Sequence, residues 1–303
     1  MFSIPTINFR HLLFLSFILF STSCNNDETK EEIEPQPEDV PLRIMPLGNS
    51  ITQGGENSPS YRYELWKMLV DAGLKFEIVG SMDTNWYRDA PGTEHGADVA
   101  SPVMGQTYKG QTFTNKHEGH WGWNTIDILN GYENPTQYKR DKGKLSEWLQ
   151  GYTPDVVLMH LGTNDMIHGK TTDGTIARIE QIIGQLRADN ENVAILLAKI
   201  TPIPANFVNV DSTQHFVSLM PALATRLSTQ KSPIILVDIN TGFNTAAYTY
   251  DTLHPNTAGE KFIAKRPPRV EPLRHPSEVG HPLVARLQFP GGGDEQLAVL
   301  PGD

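Results

Sequence analysis

The chain has 303 residues, of which 38% are hydrophobic and 20% are charged, a composition typical of a folded globular protein rather than a disordered one. This length suits one large domain or two small ones. The formal net charge of −10 argues against a general nucleic-acid-binding protein, because binding to phosphates requires a basic surface, and we expect no nucleic-acid partner.

The N-terminal residues have the pattern of an exported lipoprotein. Arg10 precedes a short apolar run at residues 12–20, which is too short to span a bilayer but typical of a secretory signal. Small residues then lead into the single cysteine, Cys24, and this arrangement resembles a bacterial lipobox, in which the cysteine is acylated. We therefore predict a lipoprotein signal peptide at residues 1–23 and a lipid anchor on Cys24. A buried or incidental cysteine is the alternative.

Residues 24–41 are acidic and contain several prolines, which predicts an extended tether between the anchor and the folded domain. The expected localisation follows from this arrangement. The protein would be secreted across the inner membrane and held to a membrane by its lipid, facing either the periplasm or the cell surface.

Apolar segments alternate with amphipathic segments over residues 42–265. Strands are predicted at residues 42–48, 76–81, 155–162, 193–200 and 234–239. Helices are predicted at residues 61–72, 124–129, 143–150 and 174–188, the last capped by Asp173, and at residues 212–228. Five apolar strands separated by helices predict a three-layer α/β/α sandwich with a five-stranded parallel sheet of the flavodoxin-like type.

Two segments lack this pattern. Residues 83–113 are rich in Gly, Pro, Thr, Asp and Asn without a clear period, which predicts a long loop of the kind that often binds ligands. Residues 266–303 contain repeated prolines, which exclude a long helix and predict an irregular tail. A shifted reading frame or an added non-native segment would explain this composition, and a genuine flexible tail is the alternative.

Polar motifs fall where the predicted strands end. Ser50 follows the first strand, GTND (162–165) follows the third, and DTLHPN (251–256) lies beyond the fifth, with HEGHWGWNT (117–125) between them. Sites in such folds lie beyond the carboxyl ends of the strands, so we expect these motifs to meet.

Together these motifs supply the groups that a serine esterase needs. The hydroxyl of Ser50 needs a base, and histidine suits that role because it titrates near neutral pH. Asp251 lies three residues before His254 and could fix its tautomer. The backbone N–H groups of Ser50 and Gly122 and the side-chain amide of Asn164 are candidate donors to an oxyanion.

The same motifs resemble a known family. GNSIT, the second glycine of GHWGW, the asparagine of GTND and the Asp-x-x-His of DTLHP resemble, in order and approximate spacing, the four blocks of the SGNH (GDSL-type) hydrolases. The resemblance covers residues 42–264. It implies Ser50 as the nucleophile, Gly122 and Asn164 as oxyanion donors, His254 as the base and Asp251 as its orienting acid. It also implies the three-layer fold and a reaction without a cofactor.

Within this family, PLGNSIT, SYRYELW, HEGHWGW and LMHLGTND resemble carbohydrate esterase family 3, the acetylxylan esterase-like branch, which removes acetyl groups from hemicellulose. Two features depart from the family pattern. Asn49 stands where the first block usually has aspartate, and we expect altered tuning rather than lost activity. The last helix, which should continue past Ala264, breaks there.

Other residues have simpler interpretations. Trp121, Trp123 and Trp86 are predicted to line the substrate pocket, although Trp123 could equally lie in the core. His160 falls within a strand and is predicted to be a core histidine. The remaining histidines considered as ligands match no zinc pattern, and we predict no metal site. They are His95, His117, His120 and His168.

The sequence therefore predicts a serine esterase that removes acetyl groups from a carbohydrate, such as the hemicellulose xylan, by an acyl-enzyme mechanism. A lipase, lysophospholipase or thioesterase on the same fold is the nearest alternative, because fold and triad do not set the substrate. An acyltransferase is a second alternative, and a noncatalytic carbohydrate-binding surface lipoprotein is a third.

Overall fold

A computed structural model describes residues 40–93, 96–132, 142–207 and 210–266 in full, together with the backbone of three short strands between residues 269 and 299. The predicted signal peptide, Cys24 and most of the predicted tether lie outside the described residues. None of the helices in the described ranges combines the length and the apolar character that a membrane span requires.

The elements alternate along the chain much as the sequence predicts. The strands are β1 (Leu42–Gly48), β2 (Phe76–Ile78), β3 (Thr84–Tyr87), β4 (Ala97–Ala100), β5 (Thr107–Tyr108), β6 (Gln111–Thr112), β7 (Glu118–Gly119), β8 (Val156–His160), β9 (Ala194–Ala198), β10 (Ile234–Val237), β11 (Arg269–Pro272), β12 (Val284–Gln288) and β13 (Gln296–Val299). The helices are α1 (Ser50–Gln53), α2 (Tyr61–Asp71), α3 (Thr125–Asn130), α4 (Leu145–Trp148), α5 (Thr163–Ile167), α6 (Thr172–Asp189), α7 (Val210–Leu227), α8 (Thr245–Tyr248) and α9 (Thr257–Ala264).

A parallel sheet forms the middle layer, with strand order β2-β1-β8-β9-β10. This is the flavodoxin-like order, so the predicted fold is confirmed. The two-residue strand β7 adds a sixth parallel segment beside the end of β1, too short to be recognised in the sequence. Gly48 at the end of β1 therefore lies between Gly119 of β7 and His160 of β8.

Side chains of the strands alternate between the two faces of the sheet and bury against helices on both sides. On one face, Met45 and Leu47 join a cluster with residues of α3, α4, α6 and α7. On the other face, Ile44 packs in a cluster with residues of α2 and α9, including Tyr61 and Ile263. Each fully buried aliphatic side chain contributes about 1.5–3 kcal/mol. The two clusters therefore account for the three-layer arrangement.

The structure corrects three local predictions. The N-cap of α6 is Thr171, whose hydroxyl accepts from the N–H of Gly174 at 3.2 Å, and Asp173 lies inside the first helical turn. The predicted loop at residues 83–113 contains two antiparallel pairs, β3–β4 and β5–β6. Strands β11, β12 and β13 pair in an antiparallel sheet within the predicted irregular tail, because proline excludes long helices but tolerates strand ends.

Candidate active site

Ser50 lies on a tight turn from the end of β1 into α1. The side chain of Asn49 accepts from the N–H of Ile51 at 3.1 Å and so caps this one-turn helix. A Cβ on Gly48 would come within 2.9 Å of the carbonyl of His160 and still closer to Thr52. Glycine is therefore required at the end of β1, where the backbone lies close to Thr52 and to His160 of β8. Ser50 is 5% exposed, at the carboxyl edge of the sheet.

The loop before α9 brings Asp251 and His254 to this serine. One oxygen of Asp251 accepts from the backbone N–H of His254 at 2.7 Å and of Leu253 at 3.2 Å. The other accepts from Nδ1 of His254 at 2.7 Å. Nε2 of His254 lies 2.9 Å from Oγ of Ser50. Three residues that the sequence predicted for one site therefore form one line of hydrogen bonds.

The charge of Asp251 fixes how this line is polarised. Burial raises the pKa of Asp251, but the hydrogen bond and charge of His254, with the two backbone N–H groups, lower it to about 2. An ionised carboxylate can only accept hydrogen bonds, so Nδ1 of His254 carries a proton. When the imidazole is neutral, Nε2 is then free to accept from the hydroxyl of Ser50.

The predicted oxyanion donors Asn164 and Gly122 follow β8 and β7, the two strands that pair with the end of β1. Asn164 lies four residues beyond the end of β8, in the first turn of α5, and its Nδ2 donates to the carbonyl of Trp123 at 2.8 Å. Among the described residues, this is the one partner of the amide nitrogen, which has a second N–H to donate. Gly122 lies three residues beyond β7 at φ 75°, a left-handed conformation that favours glycine.

The backbone donors around Gly122 have different partners. The N–H of His120 donates to the carbonyl of Gly48 at 3.1 Å, and the N–H of Trp121 donates to Oε1 of Gln53 at 2.8 Å. Within the described part of the chain, the N–H groups of Gly122 and Ser50 have no such partner. The oxyanion role of the Ser50 and Gly122 N–H groups and of the Asn164 amide therefore stays a prediction, compatible with these hydrogen bonds.

Comparison with known proteins identifies the family. The GDSL-like Lipase/Acylhydrolase family matches residues 47–262, which include every block described above. The chain belongs to this family. The predictions of a GDSL-type hydrolase and of an ester-hydrolysing enzyme are thereby confirmed.

Individual relatives of this GDSL-type hydrolase are esterases. It is 26% identical over 231 residues to a multidomain esterase of Ruminococcus flavefaciens, and the match spans 74% of this chain but only 28% of that protein. A solved carbohydrate esterase family 3 structure from Talaromyces cellulolyticus is 27% identical, with a TM-score of 0.56 and coverage of 74% of this chain and 92% of that one. An acetyl esterase solved with an acetate ion is 26% identical, with a TM-score of 0.57 and coverage of 74% and 93%.

A clamp that sequence reasoning missed connects the nucleophile turn of the GDSL-type hydrolase to the Gly122 loop. Gln53, 2% exposed at the end of α1, accepts from the N–H of Trp121, and its Nε2 lies 3.4 Å from a carboxylate oxygen of Asp98. The ring of Trp121 stacks on that of His254, with centroids 4.4 Å apart and planes 18° apart. In the sequence, the one sign of this role of Gln53 is its position three residues after Ser50.

The aromatic residues at the site are not all those predicted. Trp86 and Trp123 are each 2% exposed, so neither offers a face to a substrate, and Trp123 belongs to the core. Tyr250 was missed, although it directly precedes the Asp-x-x-His block. It is 52% exposed, and its ring lies 5.8 Å from that of His254. Trp121 and Tyr250 are therefore the aromatic residues beside the base.

A buried arginine supports the nucleophile turn. The guanidinium of Arg62 donates to the carbonyls of Thr52, Gln53 and Asn115 at 2.6, 3.0 and 3.0 Å. Burial lowers its pKa to about 10, so it remains a cation at neutral pH. Two of these carbonyls belong to α1. A cation near the C-terminus of a helix is stabilising, because the partial charge there is negative. This contact fixes α1 against the neighbouring loop.

Three of the histidines that were considered as metal ligands have protein partners of their own. His117 bonds to the carbonyl of Thr84, His120 bonds to Glu118, and His168 bonds to Asn124. His95 lies outside the described residues. Among the described residues, no group of His, Cys, Asp and Glu is arranged to hold a metal ion.

His160 is a core residue, as predicted. It is 2% exposed, and neither ring nitrogen has a protein hydrogen-bond partner within the described part of the chain. Burial lowers its pKa to about 4, so the ring is neutral at pH 7.

Proposed function

We propose that this GDSL-type hydrolase is a serine esterase that removes acetyl groups from a carbohydrate, with a hemicellulose such as xylan as the expected substrate. The observation that carries the proposal is the line of hydrogen bonds from Ser50 through His254 to Asp251. The carbohydrate assignment draws its support from the relatives that are named as a carbohydrate esterase and an acetyl esterase.

In this mechanism, Oγ of Ser50 attacks the acetyl carbonyl carbon while Nε2 of His254 takes the hydroxyl proton. Asp251 stabilises the resulting imidazolium. The negative oxygen of the tetrahedral intermediate accepts from the N–H groups of Ser50 and Gly122 and from the amide of Asn164. Each aimed donor of this kind contributes about 2.7–4 kcal/mol to transition-state stabilisation.

The imidazolium of His254 then protonates the oxygen of the leaving sugar, and the intermediate collapses to an acetyl ester on Ser50. Water attacks that ester after giving its proton to His254, which returns the proton to Oγ of Ser50 as acetate leaves. No cofactor enters either step. The half-exposed ring of Tyr250 beside His254 suits contact with the apolar face of a sugar ring.

The test compares the protein without residues 1–24 with its Ser50→Ala variant, on p-nitrophenyl acetate and on acetylated xylan. Ser146→Ala, at an exposed serine of α4, is the matched control. The proposal predicts that the parent and Ser146→Ala release acetate from both substrates and that Ser50→Ala releases it from neither. Faster hydrolysis of octanoyl than of acetyl esters would favour a lipase, and transfer of acetyl to an added sugar would favour an acyltransferase.

A lipid anchor on Cys24 is a separate proposal, and the basic, apolar and small residues that precede this cysteine support it. It is tested by expressing the full-length chain and its Cys24→Ser variant in a bacterium and fractionating the cells. We expect the parent in the membrane fraction with an added acyl mass, and the variant without that mass. Equal membrane content and equal mass for the two proteins would reject the anchor.

A further inference from the structure

A groove of about 360 Å³ opens beside α5, at the same edge of the sheet as Ser50. One wall consists of Met166, Ile167 and Lys170, in α5 and the loop that follows it. The other wall includes Asn206 and Phe207, in the loop after β9. These two loops meet because β8 and β9 are neighbours in the sheet.

Helix α5 links the groove to the proposed acyl site, because it carries Asn164 as well as Met166 and Ile167 of the groove wall. Asn164, the proposed oxyanion donor, lies in the first turn of this helix, and Met166 and Ile167 follow two and three residues later. At the rise of an α-helix, this places them only about 3–5 Å further along its axis. A glycan bound with its acetyl carbonyl at Asn164 would have to pass along α5 to reach the groove, a distance within one sugar unit.

The groove contains an unpaired cation. Lys170 is exposed, and within the described part of the chain no carboxylate lies in ion-pair distance of its ammonium group. Several other lysines have a carboxylate partner, as Lys199 has Asp238 at 2.8 Å and Lys142 has Asp98. A cation without a partner in a protein of net charge −10 is free to bind an anionic group of a ligand.

The neighbours of Lys170 indicate what kind of anion would fit. Asn206 supplies amide donors, and Phe207 is 38% exposed, so its ring can cover an apolar face. An ammonium group and an amide suit a carboxylate, while an aromatic ring suits the ring of a sugar. A long acyl chain would use the apolar wall but would gain nothing from the cation.

We propose that this groove is a subsite for a sugar unit that carries a carboxylate, such as a uronic acid, next to the acetylated unit at Ser50. Lys170 pairs with the carboxylate, and Phe207 packs against the sugar ring. The inference rests on the proposed carbohydrate esterase function and narrows its substrate to an acidic, acetylated glycan.

The kinetic test uses acetylated xylo-oligosaccharides with and without a glucuronic acid side group. The enzyme variants are Lys170→Glu and, as a control with the same charge change, Lys261→Glu on the exposed side of α9. We expect the parent to prefer the acidic substrate. Lys170→Glu should lower kcat/KM for that substrate about 10-fold and leave p-nitrophenyl acetate hydrolysis unchanged. The preference of the parent should weaken as NaCl is raised from 0.02 to 0.5 M, a range over which salt progressively screens charge (about 10 Å screening length at 0.1 M).

A binding measurement separates the subsite from the chemistry. The acidic oligosaccharide is titrated calorimetrically into Ser50→Ala and into the double variant that also carries Lys170→Glu. The Kd of Ser50→Ala should be about 10-fold lower than the Kd of the double variant. Absence of p-nitrophenyl acetate turnover in the folded parent would reject the esterase function, while this titration would still test the subsite. Equal affinity of the two proteins, or a loss shared by Lys261→Glu, would overturn the subsite. Faster turnover of octanoyl esters that Phe207→Ala abolishes would assign the groove to an acyl chain.

Discussion

Replacement of Asp251 by asparagine removes one charge from the proposed site and changes little else in its shape. The asparagine oxygen can still accept from the N–H groups of Leu253 and His254, so the loop keeps its turn. Its amide nitrogen would then face Nδ1 of His254, which is also a donor. The imidazole avoids this conflict by moving its proton to Nε2, where it can no longer accept from Ser50.

The expected loss of kcat follows from the lost charge and from the changed tautomer. A hydrogen bond to a charged group contributes about 1.5–3 kcal/mol, or roughly 10- to 150-fold in rate. The wrong tautomer adds to this loss, and together they give about 10³- to 10⁴-fold in kcat, the size known for the serine protease triad. We therefore expect Asp251→Asn to be folded and nearly inactive on p-nitrophenyl acetate.

Arg88→Ala is the control for this prediction. Its guanidinium lies 3.9 Å from Asp251, but its side chain is 57% exposed, and ion pairs of this kind contribute little. We expect less than about a threefold change in kcat. Circular dichroism and thermal unfolding would establish that both variants are folded. If folded Asp251→Asn kept more than a tenth of the parent activity, the proposed role of Asp251 would be wrong.

Four further predictions each concern one buried residue. Gln53→Leu removes the acceptor for the N–H of Trp121 and should lower kcat about 10- to 100-fold. KM should change little, because the variant displaces the loop rather than the substrate. An unchanged kcat would show that the contact between Gln53 and Trp121 has no part in catalysis. Asn164→Ala should lower kcat about 10²- to 10³-fold in the same assay, through the loss of one oxyanion donor. Arg62→Met leaves three carbonyls without a donor and should cost about 3 kcal/mol or more in urea unfolding. Burial lowers the pKa of His160 from its usual 6.5 to about 4. The free energy of unfolding should therefore fall by up to about 3 kcal/mol as the pH drops between these values, because the unfolded chain binds the proton first. His160→Leu should reduce that slope.

The fold could be predicted from the sequence because its parallel strands are continuous apolar runs. Strands β1, β8 and β9 are buried on both faces, and such strands show their apolar character at nearly every position. Because parallel strands end at one edge, the motifs that follow them could also be placed together. Ser50, Asn164 and the Asp-x-x-His block are distant in sequence but could be assigned to one site for this reason.

The parts that could not be predicted depend on side-chain direction and on local competition. Trp86 and Tyr250 both follow a polar residue, and only the backbone path decides that Trp86, in β3, is buried and Tyr250 is exposed. Thr171 and Asp173 can each cap a helix, and the contact with the N–H of Gly174 selected Thr171. The role of Gln53 depends on a loop more than sixty residues away. No local pattern records such a contact.

The hydrogen bond between Ser50 and His254 joins residues 204 positions apart, so nearly the whole domain lies between the two halves of the site. Glu260 of α9 reinforces this connection, since its carboxylate accepts from the hydroxyl of Ser58 and from the N–H of Ser60, just after α1. A ribosome therefore finishes the first strand long before the chain can hydrolyse anything. Activity can first arise when α9 has emerged and packed against α2, so the onset of turnover during synthesis would report the docking of this last helix.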